Sequence, residues 1–231
     1  KVYLEKELYT LINSELSDLV NLSKVKFENN YTRALCYQLF ENNGVIKRDS
    51  VHQMIKNISK EDRLNLRKVG VKIGRYHIFL PRMLKPGAVN LKVKLWKLFF
   101  PKDKKYIIPI SGLNFLKEQP SKNNKFFLIC GFENFNKFYV RVDILERLFV
   151  KIIENTKKSI FQVNSDMINL LGCSKENFFK LLELMQYKRA KIENKKEETF
   201  IYKPKKMKNE KVVKNTKQNS PFSKLSEIRF R

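Results

Sequence analysis

Basic side chains are concentrated in one 35-residue stretch of this chain, residues 71–105. The stretch holds one acid, Asp103, and its net charge is +9, whereas the 70 residues before it carry only +3. Its ten bases are Lys72, Arg75, Arg82, Lys85, Lys92, Lys94, Lys97, Lys102, Lys104 and Lys105. Lysine and arginine neutralise phosphate groups and release counterions, and a folded surface with so much like charge usually faces a polyanion. The chemistry that this pattern favours is electrostatic binding of an anionic polymer.

The whole composition points to a folded, basic protein. The chain has 231 residues and a net charge of +25, and its 42% of apolar residues includes 18 Phe and 9 Tyr, enough for real cores. The charge favours nucleic acid as the partner, with an acidic membrane surface or the ribosome as other anionic partners. Lysine, asparagine, isoleucine and phenylalanine are all abundant, which is a bias of AT-rich coding sequences. The local clustering of bases is therefore better support than the total charge.

The residues needed for catalysis or metal binding are sparse. Cys36, Cys130 and Cys173 lie far apart, and His52 and His77 complete no C-x-x-C or H-x-x-x-H spacing, so we expect free thiols and no zinc site. Neither a phosphate-binding glycine loop nor a G-x-G-x-x-G motif is present. We interpret His77 as a packed or phosphate-contacting residue. The sequence predicts that this chain catalyses no reaction by itself and carries no cofactor.

The cysteines and the hydropathy of the sequence indicate the cellular compartment. An odd number of separated cysteines is typical of a reducing compartment. No apolar run approaches the roughly 20 residues that span a bilayer, and no signal-peptide pattern opens the sequence. We therefore expect a cytoplasmic protein with no membrane partner.

Residues 1–100 are predicted to form a helical segment, a first winged-helix-like module and a largely buried helix. Apolar residues at helical spacing predict helices over 3–20, 31–43, 49–58 and 59–70. The periodicity then changes, and the residues around Gly74 predict a β-hairpin that ends at Pro81. Pro86 begins the last helix of this region, which Pro101 ends. Three helices followed by a hairpin are typical of a winged helix.

The rest of the chain predicts a second module of the same kind. Residues 101–125 form a polar connection, and 126–202 contain strands at 126–129 and 138–142 around a loop at 131–137. Asp143 and Glu146 are interpreted as a capping box for the next helix. Two more helices and the pair 187–192 with 199–202 again indicate helix-turn-helix plus wing. Residues 203–231 carry +8 and predict a disordered basic tail, best read as an electrostatic tether. The fold class is α+β, mainly α.

Ten residues of the two modules are the candidate contacts for nucleic acid. They are Arg75, Tyr76, Arg82, Lys85, Lys94, Lys97, Lys175, Lys180, Lys188 and Arg189. The cations would bind phosphates, and Tyr76 would stack on an unpaired base. Core packing is the alternative for Tyr76, and an ordinary solvated face is the alternative for Lys94 and Lys97. The second module is equally open to a role in protein contacts.

Several separate motifs resemble one family of enzymes. The segment LRKVGVKIGRYHIFLPRMLKPGAVNLKVKLWKLF is followed in order by ISGLNFL, CGF, VRVDILERL, MINLLGCSKENFFKLLELMQYK and SPFSKL. Together they resemble the region C-terminal to the motor in bacterial relatives of the mitochondrial degradosome RNA helicase, a superfamily 2 ATP-dependent helicase of the DExH type. The resemblance implies an upstream motor that uses ATP and Mg²⁺, a single-stranded RNA or other nucleic-acid substrate, and a ribonuclease as a further partner. No motor motif is present in this chain, so none of its residues is assigned to ATP hydrolysis.

Two other functions remain open from the sequence. A standalone winged-helix DNA-binding regulator would be a dimer that binds duplex DNA sequence-specifically. A protein-interaction scaffold that recruits a nuclease or the ribosome would bind nucleic acid weakly even at low salt. The helicase-accessory function instead predicts salt-sensitive binding of single strands with little sequence preference.

Overall fold

The computed structural model describes residues 2–100, 107–117, 124–136, 138–190 and 199–202. Helices predominate over strands in these residues, and the strands form small antiparallel sheets, so the predicted mainly helical α+β class is confirmed. The predicted tail at 203–231 lies outside the described residues, as do 101–106 and 118–123 of the predicted connection at 101–125.

Two consecutive helices open the chain. They are α1 (Val2–Glu15) and α2 (Ser17–Lys24), where the sequence predicted a single helix over 3–20. Leu16 lies between them and is buried together with Leu19 and Leu22 of α2 in the first hydrophobic core. The break turns the apolar side of α2 onto the core, whereas much of α1 stays exposed.

A helix-rich unit with a three-stranded sheet follows, over residues 30–79. Its elements are α3 (Asn30–Glu41), β1 (Val45–Lys47), a 3₁₀ turn (Arg48–Val51), α4 (His52–Lys56), α5 (Lys60–Lys68), β2 (Lys72–Ile73) and β3 (His77–Phe79). The predicted hairpin is confirmed, and β3 also pairs with β1, which puts Ile78 opposite Ile46 and Ile73. Sequence reasoning missed β1, because three residues are too few to show a period.

The next helix and a second sheet connect this unit to the C-terminal one. Their elements are a 3₁₀ turn (Pro81–Leu84), α6 (Pro86–Phe99), β4 (Phe115–Lys117), α7 (Asn124–Ile129), β5 (Phe132–Phe135) and β6 (Phe138–Arg141). The predicted strand at 126–129 is wrong, since these residues lie in α7 with Phe126, Phe127 and Ile129 buried. A short apolar run fits a buried helix as well as a strand. The predicted loop at 131–137 is also largely strand, namely β5.

The C-terminal unit repeats the arrangement of the first. It contains α8 (Val142–Glu154), β7 (Thr156–Lys157), β8 (Ile160–Gln162), α9 (Ser165–Leu171), α10 (Lys175–Leu184), β9 (Lys188–Ala190) and β10 (Thr199–Ile201). In every described sheet the last strand lies between two earlier ones: β3 between β1 and β2, β6 between β4 and β5, and β10 between β8 and β9. Residues 30–79 and 142–201 therefore share the order helix, strand, helix, helix, hairpin, except that the C-terminal unit has one more strand, β7, which pairs with β8.

Candidate nucleic-acid interface

The turn of the β2–β3 hairpin is held against α8 by the carboxylate of Glu146. The backbone N–H of Arg75 donates to Glu146 Oε2 over 2.6 Å, and those of Tyr76 and His77 donate to Oε1 over 2.8 Å each. Three successive N–H groups form a concave site that suits an anion. A Cβ at position 74 would lie 2.3 Å from Glu146 Cδ, so a side chain there would displace this carboxylate from the turn. The hairpin turn is thus bound within the protein.

This use of Glu146 corrects the predicted capping box. Helix α8 begins at Val142 after Arg141, whose side chain makes no capping hydrogen bond. Asp143 accepts from the N–H of Ile144 over 2.9 Å and forms an ion pair with Arg141, whose Nε lies 2.7 Å from Asp143 Oδ1. Glu146 is oriented away from the helix end by its three hydrogen bonds to the hairpin.

His77 connects this contact to the second sheet. Its side chain is 2% exposed, which confirms the packed interpretation, and its Nε2 lies 2.9 Å from Glu133 Oε2 in β5. Lys47 Nζ donates to the other oxygen of Glu133 over 2.5 Å. Burial raises the pKa of Glu133, but the hydrogen bonds from His77 and Lys47 outweigh it and hold that pKa below its usual value. Strand β3 is therefore tied to both neighbouring parts of the fold.

Arg75 and Tyr76 lie in the same contact region between the first and C-terminal units. The guanidinium carbon of Arg75 is 5.8 Å from the ring centroid of Phe149, and the Tyr76 ring meets Phe149 edge-on at 5.6 Å. The hydroxyls of Tyr76 and Tyr187 are 3.1 Å apart. Burial is the main cause that raises the pKa of the Tyr76 hydroxyl far above its ordinary value. The Tyr76 ring is therefore packed against its neighbours and does not form an open stacking surface.

The basic residues after the hairpin have mixed surroundings. Arg82 is exposed and its Nη1 lies 3.2 Å from Asp18 Oδ1, and Lys85 is exposed just before α6 begins. Within α6, Lys94 is exposed and Lys97 is half-buried, on the same side as the exposed Asn90. The sequence of α6 contains no acid. A polar, basic stripe of Asn90, Lys94 and Lys97, here called the α6 stripe, therefore runs along this helix.

Lys92 lies on the opposite side of α6 and is 1% exposed. Its Nζ donates to the carbonyl of Asn43, just beyond the end of α3, over 3.3 Å. Burial lowers its pKa from 10.5 to about 8. This lysine therefore belongs to the core and not to a binding surface.

The four candidates of the C-terminal unit are exposed, but acids accompany them. The Nζ of Lys175 and the guanidinium carbon of Arg189 lie 5.5 Å and 5.4 Å from the Phe179 ring centroid. Arg189 Nε donates to Glu183 Oε1 over 2.8 Å. Lys180 shares the outer face of α10 with the exposed Glu176 and Glu183, and Lys188 is exposed in β9. The outer face of α10 is therefore of mixed charge.

Helix α5 carries a basic surface that sequence reasoning missed. Lys60, Arg67 and Lys68 are exposed around Leu64, whose side chain is 56% exposed. Arg63 points inward instead, and its Nη2 donates to the carbonyl of Ile55 over 2.7 Å. The sequence does contain a pattern that predicts this surface, because positions 60, 64, 67 and 68 fall on one face of a helix.

The described residues offer little for binding a small molecule or a metal ion, or for crossing a membrane. The cavity lined by Cys130, Arg141 and Ile110, among others, holds about 60 Å³, well below the few hundred Å³ of a typical ligand pocket. Among the residues that the structure describes, no group of three or more His, Cys, Asp or Glu side chains could hold a metal ion. Within the same ranges, none of the helices has the length and apolar character needed to cross a membrane.

Comparisons with protein-family models, curated proteins and solved structures found no match for this chain. The relation to helicases therefore stays a prediction from the sequence motifs.

Proposed function

We propose that this chain is a nucleic-acid-binding region that holds RNA or another single strand for an ATP-dependent helicase motor in the cytoplasm. The observation that carries the proposal is the α6 stripe, which lies within the basic residues 71–105 on a helix that has no acid of its own, with the carboxylate of Glu15 beside Gly87 at the helix start. Lys85 and Lys94 are exposed there, and Lys97 lies beside them. Phosphate contacts of this kind give affinity without sequence preference.

The two units with shared topology are, in this proposal, winged-helix modules. Support comes from their order of helix, strand, helix, helix and hairpin, which the C-terminal unit follows with the added strand β7, and from the position of the last strand between two earlier ones. Because Glu146 binds the turn of the first hairpin, that wing joins the modules and leaves the helices to contact the strand.

The motor, its ATP and Mg²⁺, and a partner ribonuclease enter the proposal only through the resemblance of the sequence motifs. The residues of this chain would keep the strand bound while the motor moves along it. Lysine and arginine side chains suit that task, because they bind phosphates whatever the base sequence of the strand.

A scaffold that binds another protein is the second candidate function. It is favoured by α1, where Leu8 is 46% exposed, Tyr9 67% and Leu11 46%. Apolar side chains exposed together often mark protein contacts. Weak nucleic-acid binding of the chain even at low salt would favour this function over the first.

Replacing Lys94 and Lys97 together with glutamate should weaken binding of a single-stranded oligonucleotide about tenfold at low salt. The plot of log K against log salt should become less steep, its slope decreasing in magnitude by roughly 1.4, since each lost phosphate contact of a single strand contributes about 0.7. Fluorescence anisotropy across a salt series measures both quantities. Thermal stability should change little, because Lys94 is exposed and Lys97 is half-buried.

The matched control replaces Lys157 and Lys158, which are exposed in the β7–β8 turn, with glutamate. It makes the same change in net charge at a distant place in the fold. An equal loss in both double variants would show that only total charge matters. Unchanged affinity of the Lys94 and Lys97 variant would refute the α6 stripe as a contact surface.

A further inference from the structure

The helices that precede the two hairpins, α5 and α10, are equivalent in topology but differ in the charge of their outer faces. The α5 face, defined as Lys60, Leu64, Arg67 and Lys68, has one exposed acid beside it, Glu61. The outer face of α10 instead combines Lys180 with Glu176 and Glu183. At the same position in the two units, one helix thus presents a basic face and the other a face of mixed charge.

The cations of the α5 face are available to a ligand. Arg63 uses its guanidinium on the carbonyls of Ile55 and Ile58, and Asp62 accepts from the Thr32 hydroxyl over 2.9 Å. These contacts hold the inner side of α5 against α3 and α4. Lys60, Arg67 and Lys68 remain on the solvent side, and Lys56 at the end of α4 is exposed just before them.

Exposed Leu64 adds an apolar contact at the centre of this basic face. With 56% of its surface exposed, Leu64 places an apolar side chain among the cations of this face. Between cations, the chemistry that fits is the face or edge of a nucleic-acid base whose phosphates lie on either side. Lys60 and Arg67 are separated by about 10 Å along the helix axis, the length of roughly three nucleotides of one strand.

Building on the proposed function, we propose that the nucleic-acid strand lies along the α5 face and that α10 does not contact it. The C-terminal unit then has a positioning role. Its Glu146 fixes the first hairpin, and this hairpin directly follows α5 in the chain. Within this unit, Arg189 of β9 forms an ion pair with Glu183 of α10 over 2.8 Å, so an acid of α10 lies beside the cations that a strand would need.

The test compares two double charge reversals in the full chain. Lys60→Glu with Arg67→Glu alters the α5 face, and Lys180→Glu with Lys188→Glu makes the same charge change on the C-terminal unit. Anisotropy with a labelled oligouridylate of about 20 nucleotides should show a loss of about tenfold or more for the first pair and less than about threefold for the second. Circular dichroism melting checks that both variants fold, as expected for exposed positions.

An uncharged variant separates the apolar contact from electrostatics. Leu64→Ser should lower affinity for the oligouridylate while leaving the salt slope unchanged, because no phosphate contact is lost. An equal loss of affinity in the two double variants, or a larger loss in the Lys180 and Lys188 variant, would overturn the placement of the strand on the α5 face. Full binding by the α5 variant, with binding lost on reversal of Lys94 and Lys97, would refute the placement alone. No binding by the unsubstituted chain at low salt would refute the proposed function itself.

Discussion

Replacing Glu146 with alanine should lower the free energy of unfolding by about 3 kcal/mol. The substitution removes the acceptor for three backbone N–H groups, those of Arg75, Tyr76 and His77, at a place where the Glu146 side chain is only 13% exposed. Unsatisfied buried donors cost more than the net value of the hydrogen bonds they lose. Urea unfolding followed by circular dichroism measures the change.

Two further substitutions, a control and a second variant of the same contact, test whether the loss of stability comes from the hydrogen bonds of Glu146. Glu154→Ala removes an exposed carboxylate from the same helix and should change stability by less than about 0.5 kcal/mol. Gly74→Ala keeps the carboxylate but displaces it, because the new Cβ would lie 2.3 Å from Glu146 Cδ, so it should destabilise in the same direction. A Glu146→Ala variant as stable as the Glu154→Ala variant would contradict the anchoring role. If the junction couples the units, the Glu146→Ala variant should also unfold over a broader range of urea concentration.

Replacing Lys92 with methionine should stabilise the protein at neutral pH by roughly 2–3 kcal/mol. Lys92 is 1% exposed, and burial lowers its pKa from 10.5 to about 8. Below pH 8 the lysine is charged in both the folded and unfolded states, so the folded state carries the full cost of a buried charge. Methionine of similar length removes that cost and loses the hydrogen bond to the carbonyl of Asn43.

The pH dependence gives this prediction a second readout. Between about pH 8 and 10.5 the unfolded state binds more protons at Lys92 than the folded state does, so stability rises with pH in that window. The advantage of the methionine variant should therefore be greatest at pH 7 and shrink as the pH approaches 10. Lys94→Met, at an exposed position of the same helix, is the matched control and should change stability at neutral pH by less than about 0.5 kcal/mol. A stability difference that is constant from pH 7 to 10 would show that Lys92 keeps an ordinary pKa in the folded protein.

Local signals in the sequence determined several features correctly. A serine just before a helix is a typical N-cap, and Ser59 and Ser174 each accept a hydrogen bond from a backbone N–H in the first turn. A glycine just after a helix is a typical end signal, and the φ of 68° at Gly172 is the left-handed conformation that glycine tolerates best. These features depend on residues within four positions of one another. The hairpin around Gly74 was also predicted, because the change from helical to alternating periodicity is local.

Features that need contacts between distant residues were not predictable in the same way. The apolar run Phe126–Ile129 fits a strand as well as a helix. It forms part of α7, which packs against β5. Of the bases in residues 71–105, Lys92 proved to be buried, and Arg75 is held at the junction between units. Spacing along a helix gives a face, but it does not say which face a neighbouring unit covers.

The sequence by itself determined the strong positive charge, the mainly helical α+β class and the hairpin, because composition and short-range periodicity express them directly. Only the tertiary structure decided where the charge is available. Glu146 lies about 70 residues from the turn that it binds, and Lys92 reaches a carbonyl 49 residues earlier. Partners so far apart in the chain leave no local pattern, so the free cations of the α5 face became apparent only once the inward-facing ones were assigned.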